Sequence, residues 1–447
     1  MLQKIRSSVS RLLKKPDALP AAKVYTRDQH PISRKDISRG ALDVLYGLHK
    51  AGYRAFLVGG CLRDLLAGVT PKDFDVVTNA APEEIQHLFR RSRIIGRRFQ
   101  IVHVYAAGEV IEVSTFRAAD TEDQKTSRHG LVLRDNVYGT FEEDAIRRDF
   151  TINALYYDIA DFTLHDFSSS LEDIQQRRIR IIGDPETSYR EDPVRMLRAA
   201  RFMAKMDFEI ERKTLKPIAT MAPMLAHIPA ARLFDEVLKL FLSGHAEASL
   251  AALQQLQLFA VLFPQTAASL QQPALAESSQ QLLTLACRNT DIRIQQQRPV
   301  TPTFLFAVLL WPAFRQQLQK LQDKGVPLYP AIQKAAHHVI TEQCQRTTIP
   351  KRFSIPLREI WEMQWRLEKR HGHFTEQLVE NPRFRAAYDF LLAREQSGEI
   401  APGLGDWWTR YQEAAPGQRQ QLQQQLPSNN GPKPRKRRRR KPKQATS

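Results

Sequence analysis

Cysteine is scarce: Cys61, Cys287 and Cys344 lie far apart, at no spacing that suits a metal or a disulfide framework. That excludes a disulfide-stapled secreted scaffold and suits a reducing cytoplasm. Long apolar runs are missing as well. No stretch approaches the roughly 18 consecutive apolar residues that read as a membrane-spanning helix, so stable membrane insertion is not expected. The opening stretch MLQKIRSSVSRLLKK is basic and weakly amphipathic, without the apolar run of a secretory signal. No internal repeat period is visible, and carboxylates stop at Glu413.

Positive charge is abundant. The formal net charge is +18 and the pI is about 9.9, which points to a polyanionic partner, nucleic acid before membrane. The run KPRKRRRRKPK from Lys433 to Lys443 holds nine basic residues, half of the net excess. Its surroundings are Gln- and Pro-rich with almost nothing apolar to bury, which predicts disorder. Such a polycation holds backbone phosphate through counterion release without reading sequence. Arg435, Lys436, Arg437, Arg438, Arg439 and Arg440 are therefore candidate RNA contacts.

With 447 residues, 42% of them hydrophobic, the chain can bury several packed units. The expected class is α+β. Residues 1–38 read as a flexible extension and 39–185 as a mixed α/β head. A helical neck over 186–245, a helical body over 246–413 and a disordered basic tail over 414–447 follow. In the head, Ala55–Val58 predicts a strand, and Gly59-Gly60 turns into a helix (CLRDLLAG) that Gly68 closes. Phe74–Thr78 predicts a second strand. Phe99–Tyr105 and Val110–Phe116 predict a hairpin turning at Ala107-Gly108.

The sharpest constellation is LVGGCLRDLLAGVTPKDFDVV. Asp73 and Asp75, two apart on a predicted strand, present their carboxylates to one face. Like charges side by side repel unless a cation lies between them, and Mg²⁺ is the natural occupant. Two such ions about 4 Å apart activate an attacking hydroxyl and stabilise a leaving oxygen in phosphoryl transfer. Gly59 and Gly60 allow close backbone approach, the helix that follows offers free N–H groups, and Arg63 can reach the same phosphate. A lone D-x-D is usually solvated turn chemistry; the glycine pair, arginine and acidic pair together are far more specific.

Two further strings carry charge in pattern. In EEDAIRRDFTINALYYD (142–158), Arg147 and Arg148 are cations beside a helix start, and Asp149 precedes a predicted helical run, where an N-cap aspartate is the ordinary reading. Glu112 alternates with Ile111 and Val113 and competes with Asp149 as a third carboxylate. In YREDPVRMLRAARF (189–202), Asp192-Pro193 reads as an N-cap and first helical residue. Arg195, Arg198 and Arg201 step by three along one side of that helix, and clustered cations without nearby acids want an anionic partner.

These strings resemble motifs A, B and D of the nucleotidyltransferases related to DNA polymerase beta, in the branch that holds bacterial poly(A) polymerases and tRNA CCA-adding enzymes. The resemblance implies that Asp73 and Asp75 bind two Mg²⁺ ions and that Gly59, Gly60 and Arg63 line the triphosphate of ATP. It implies that Asp149 is the third active-site carboxylate and that Arg148 and Asn153 contact the nucleotide. Asp192 and Arg195 would read the base edge, with Arg198 and Arg201 as further nucleotide contacts. Relatives commonly carry D-x-x-G-G-x-x-D-L after motif B; here the stretch is HDFSSSLEDI, with Ser169 and Ser170 at the glycine positions.

Three segments resemble the poly(A) branch in particular: IIGRRFQIVHV (94–104), PAARLFDEVLKLF (229–241) and ENPRFRAAYDFLLAR (380–394). They imply transfer of AMP from ATP to RNA 3′ ends, in mRNA polyadenylation and decay. Arg97 and Arg98 then hold primer or triphosphate, unless they are a solvated basic turn. The alternative enzyme is a tRNA CCA-adding nucleotidyltransferase; the alternative of another class is a non-catalytic RNA-binding adaptor. His337-His338 and His371/His373 are assigned no metal. Trp407-Trp408 is expected to close a helical core rather than stack bases.

Overall fold

The computed structural model describes residues 21–96, 100–118, 125–126, 132–134 and 137–426; Arg97, Arg98 and the cations at 435–440 lie outside the described residues. The chain divides into two compact units. The first runs to Ala268 and includes Cys287–Val300 and Thr341–Ile349; the second takes Ser269–Ala286, Thr301–Ile340 and the chain from Pro350 onward.

The first unit is built on a sheet of eight strands: β1 (Lys23–Tyr25), β2 (Ala55–Val58), β3 (Asp75–Thr78), β4 (Ser92–Ile95), β5 (Ile101–Ala106), β6 (Glu109–Thr115), β7 (Leu155–Asp158) and β8 (Leu164–Asp166). Their order is β1-β8-β7-β2-β3-β6-β5-β4. Only the β3–β6 contact is parallel; the other neighbours pair antiparallel. Helix α1 (Arg39–Lys50), with its N-cap Ser38 Oγ accepting from Ala41 N–H, buries Ala41, Val44, Leu45 and Leu48 at 3.6-residue spacing. A second apolar cluster joins Phe56, Val58, Val77, Phe116, Phe141 and Tyr156; the Phe56 and Phe141 rings stack at 4.5 Å.

The hairpin of β5 and β6 turns at Ala107 (φ +47°) and Gly108 (φ +85°), the two left-handed residues of a tight hairpin turn, where expected. Three expectations need correction. Residues 21–38 are not loose: β1 pairs with β8, and Ile32 and Ile37 are buried. Asp73 precedes β3 rather than lying on it, since the strand opens at Asp75. The run after Asp149 is no helix but one 3₁₀ turn, Thr151–Asn153, leading into β7. Leu155, Tyr156 and Tyr157 are all fully buried, so a central strand wrapped on both faces looked apolar all round, and period alone could not separate it from a helix.

The helical part of the first unit carries α2 (Gly60–Leu66) beside the sheet, then α3 (Val194–Met206), α4 (Ala230–Phe241) and α5 (Ala246–Gln255). The second unit is helical throughout its described residues and centres on Trp311, Trp361 and Trp408, with Phe314 stacked on Trp361 at 4.4 Å. Buried Glu399 accepts hydrogen bonds from Trp311 Nε1 (2.7 Å) and Arg394 Nε (2.8 Å). Trp407 and Trp408 are 4% and 0% exposed and close this core, as expected. Pro416–Gln424 forms a helix inside the segment expected to be disordered. Among the described residues no helix is long and apolar enough to cross a membrane.

Candidate active site

The site begins where β2 ends. Gly59 adopts φ +79° and ψ −135°, a conformation open essentially to glycine alone, and α2 starts at Gly60. A Cβ at Gly59 would lie 3.7 Å from Asp75 Oδ2 and 4.0 Å from an Arg148 guanidinium nitrogen. The turn thus brings bare backbone against both. Gly59→Ala should lower stability by about 1–3 kcal/mol through backbone strain; a thermal melt at the wild-type midpoint would count against that reading of the turn.

Asp75 opens β3 and pairs across the parallel contact with Glu112 on β6. Residues opposite one another share a face, so the two carboxylates stand side by side. Burial and the neighbouring Glu112 charge push the Asp75 carboxyl up to about 6, against the pull of Arg148, and exposed Asp73 adds to the repulsion. Cys61, at the start of α2, is buried, and burial with the nearby Asp75 charge pushes its thiol up to about 12. It is an inert neutral side chain at neutral pH. The donor chemistry here is hard oxygen with excess negative charge, which suits Mg²⁺. Among the described residues no three His, Cys, Asp or Glu side chains gather as a preformed metal cage.

The cations around this acid cluster are held from behind. Arg148 donates to Asp144 Oδ2 (2.9 Å) and to the Tyr156 hydroxyl (2.6 Å). Burial works against its charge, but Tyr156 and Asp144 outweigh it and hold the guanidinium firmly protonated. Arg63 is buried, with Nε and Nη2 on Asp64 Oδ1 and Nη1 on Asn153 Oδ1 (2.7 Å). Lys205 of α3 bonds the other Asp64 oxygen at 3.0 Å. Asn153 in turn donates to Asp149 Oδ1 (3.1 Å), and Arg198 Nε of α3 donates to Asp149 Oδ2.

Asp149 thus joins Asn153 and Arg198, two residues expected at the nucleotide. Despite burial, the Arg198 charge and the Asn153 hydrogen bond hold its carboxyl at about 2, an ion-paired anion that orients an arginine. It does not cap a helix. The residue opposite Asp75 in the strand register is Glu112, the competing candidate, whose alternation with Ile111 and Val113 was visible in the sequence.

The arginines of α3 were expected to lack acids nearby, and this too is corrected. Arg198 meets Asp149, and Arg195 meets Ser188 and Glu191 (3.5 Å). Arg201 makes no ion pair among the described residues; burial and the Arg198 charge both disfavour its cation. Asp192 does not open α3 as a full N-cap, a place taken by Pro193, although its Oδ1 accepts from Val194 N–H at 3.3 Å. Its Oδ2 accepts from Arg232 Nη2 of α4 at 2.6 Å. Ser169, at a position where relatives favour glycine, stands at φ +56°, ψ +39°, so the left-handed turn is kept without the glycine.

Comparison with known proteins decides the family. Residues 55–180 match the model of the poly(A) polymerase head domain, 207–270 the probable RNA- and SrmB-binding site of polymerase A, and 324–443 its arginine-rich C-terminus. The poly(A) polymerase I of Salmonella typhimurium is 43% identical over 433 residues, 95% of this chain and 93% of that protein. The chain belongs to the bacterial poly(A) polymerase family. The CCA-adding enzyme of Bacillus licheniformis is 37% identical over 216 residues, 47% of this chain and 53% of its own length. The CCA-adding enzyme of Bacillus stearothermophilus, solved with CTP, superposes with a TM-score of 0.55 at 25% identity, covering 86% of this chain and 81% of that one.

Membership of the poly(A) polymerase family accounts for the co-occurrence of the three motifs, but the contacts between them come from the fold. The Arg232 partner of Asp192 was not named from the sequence. Its sequence signal was slight, one arginine in a helix resembling the poly(A) polymerase neck, 40 residues from the aspartate it grips.

Proposed function

We propose that this protein adds AMP from ATP to RNA 3′ ends and releases pyrophosphate, with Asp73, Asp75 and Glu112 as the carboxylates that hold two Mg²⁺ ions. The observation that carries the reading is the cross-strand pair of Asp75 and Glu112, where burial and the neighbouring Glu112 charge raise the Asp75 carboxyl to about 6 beside the Gly59 turn. When bound, Mg²⁺ supplies Lewis-acid activation of the attacking hydroxyl and charge neutralisation for the leaving group. Above about pH 6 Asp75 presents the anion that a divalent cation needs.

The remaining roles follow from what each side chain touches. Gly59 and Gly60 admit the triphosphate close to the backbone. Arg148, fixed by Asp144 and Tyr156, offers charge beside Asp75. Asp149 and Asn153 place Arg198 and Arg63 for the nucleotide, and Arg201 offers a cation without an acidic partner among the described residues. Asp192 and Arg195 face the base: the carboxylate accepts from an exocyclic amine, and the guanidinium donates to ring acceptors. A fixed pair of this kind rejects a base that leaves buried groups unpaired.

One assay separates this reading from CCA addition and from a non-catalytic RNA-binding adaptor. ATP alone, CTP alone or both are supplied with an unstructured RNA primer and with a tRNA lacking its CCA end. Long A-tails on the plain primer are the expected result. CTP incorporation confined to tRNA would favour CCA addition, and no product at all would favour the adaptor. Deleting 431–447 should weaken RNA binding and flatten its salt dependence while sparing extension of short primers. An unchanged salt slope would remove the tail from the RNA-binding account.

A further inference from the structure

The row that begins with Asp75 does not stop at Glu112. Strand pairing places Asp75 opposite Glu112, Glu112 opposite His103 on β5, and His103 opposite Arg93 on β4. Directly opposed residues share a face, so the acid pair continues outward as acid, imidazole, guanidinium. Strands lie roughly 4.8 Å apart, which puts Arg93 about 14 Å from Asp75. Two residues along β5, Tyr105 stands opposite Val110 on this same face.

The two faces of these strands differ sharply. Val102, Val104, Ile111 and Val113, which point the other way, are at most 1% exposed. On the row's own face Tyr105 is 46% exposed and Val110 45%, and Arg93 and Glu112 are exposed too. His103 fills the step between the charged ends, its Nε2 3.4 Å from Glu112 Oε1 with no hydrogen bond made. Protein core explains the inner set. It gives no reason for a bare tyrosine beside a valine, with an arginine on the next strand, next to a carboxylate pair.

We propose that this open sheet face is the track for the 3′-terminal nucleotides of the RNA being extended. Tyr105 stacks on a base, Val110 widens that platform, Arg93 holds a backbone phosphate, and His103 forms the floor beside Glu112. The inference rests on the adenylyl-transfer reading, because that chemistry requires the RNA 3′-hydroxyl to reach Asp75 and Glu112, and this face runs continuously out of them. Stacking suits a primer of any sequence, since every base has a π-face, and a single phosphate contact positions without specifying.

The test uses the full chain and a 5′-fluorescein-labelled oligoadenylate, with EDTA present and salt raised to screen the cationic tail. Tyr105→Ala should weaken oligoadenylate binding roughly fivefold or more, the effect of losing one stacked base. It should raise the primer KM in extension assays by a similar factor and leave the ATP KM where it was. Tyr105→Phe keeps the ring and should bind as the parent does. Arg93→Ala should weaken binding and reduce the salt slope by about one. Because Tyr105 is exposed, its removal leaves the core packing intact.

Parental oligoadenylate affinity and primer KM in Tyr105→Ala would overturn the proposal. So would a loss that Tyr105→Phe fails to restore, since stacking would not then be its cause. Failure of the underlying reading looks different: the parent chain itself would extend no primer with ATP. The binding measurement decides the track in that case as well.

Discussion

Asp75→Asn is expected to cost at least about 10³-fold in primer extension, in the range seen when a preorganised electrostatic group is removed, while making the metal-free protein more stable at neutral pH. The first effect follows from losing the anion that a divalent cation requires. The second follows from proton linkage. The Asp75 carboxyl sits at about 6 in the folded chain, against roughly 3.9 when unfolded. A raised carboxyl binds more protons folded than unfolded across that window, so its contribution to stability falls as pH climbs from about 4 to about 6.

At pH 7 the ionised group is therefore a net cost of up to about 3 kcal/mol, since each tenfold difference in proton affinity between the folded and unfolded chain corresponds to about 1.36 kcal/mol. Asparagine removes it. Thermal melts in EDTA should show Asp75→Asn above the parent at pH 7 and level with it near pH 4. Excess Mg²⁺ should close the gap at pH 7 by stabilising the parent. A lower melting point for the variant at pH 7 in EDTA would refute the picture of a repelling acid cluster. Glu112→Gln should follow Asp75→Asn in activity. Asp149→Asn should instead act through Arg198, raising the ATP KM; the reverse pattern would restore Asp149 as the third carboxylate.

The second large effect concerns the choice of nucleotide. Asp192 presents two oxygens, one gripped by Arg232 and the other turned to the backbone of Val194. A hydrogen bond to a charged group contributes roughly 1.5–3 kcal/mol, so Asp192→Ala should reduce the preference for ATP over the other nucleotides, as a ratio of kcat/KM, by about 10- to 100-fold. Arg232 touches no base in this account. It fixes the carboxylate, and Arg232→Ala should erode the same ratio less severely, with Arg232→Lys recovering part of it. If Arg232→Ala lowers overall turnover but keeps the preference intact, its role is structural only. If Asp192→Ala keeps the preference, base reading lies elsewhere.

What could be read in advance was what short-range chemistry decides. The strand at Ala55–Val58, the glycine turn into α2 and the Ala107-Gly108 hairpin each depend on residues within a few positions of one another. The D-x-D pair and its rival Glu112 could be named for the same reason. Leu155–Asp158 could not, because a strand buried on both faces carries no alternation. The pairings that give the charged residues their posts were also invisible. Arg63 finds Asn153 across 90 residues and Asp149 finds Arg198 across 49, contacts set by helix packing on a finished sheet. Local pattern showed which side chains carry charge. Tertiary structure decided which of them were already spoken for.

The parallel contact between β3 and β6 has a bearing on how the chain comes into being. It is the one place in the sheet where neighbours run the same way, and β4 and β5 must be laid down between its two members. Non-local pairing of this sort is slow to form. A half-built chain emerging from the ribosome accordingly holds its first acids without their partner. The acid pair of Asp75 and Glu112 can therefore form only after β6 has been made and has joined the sheet.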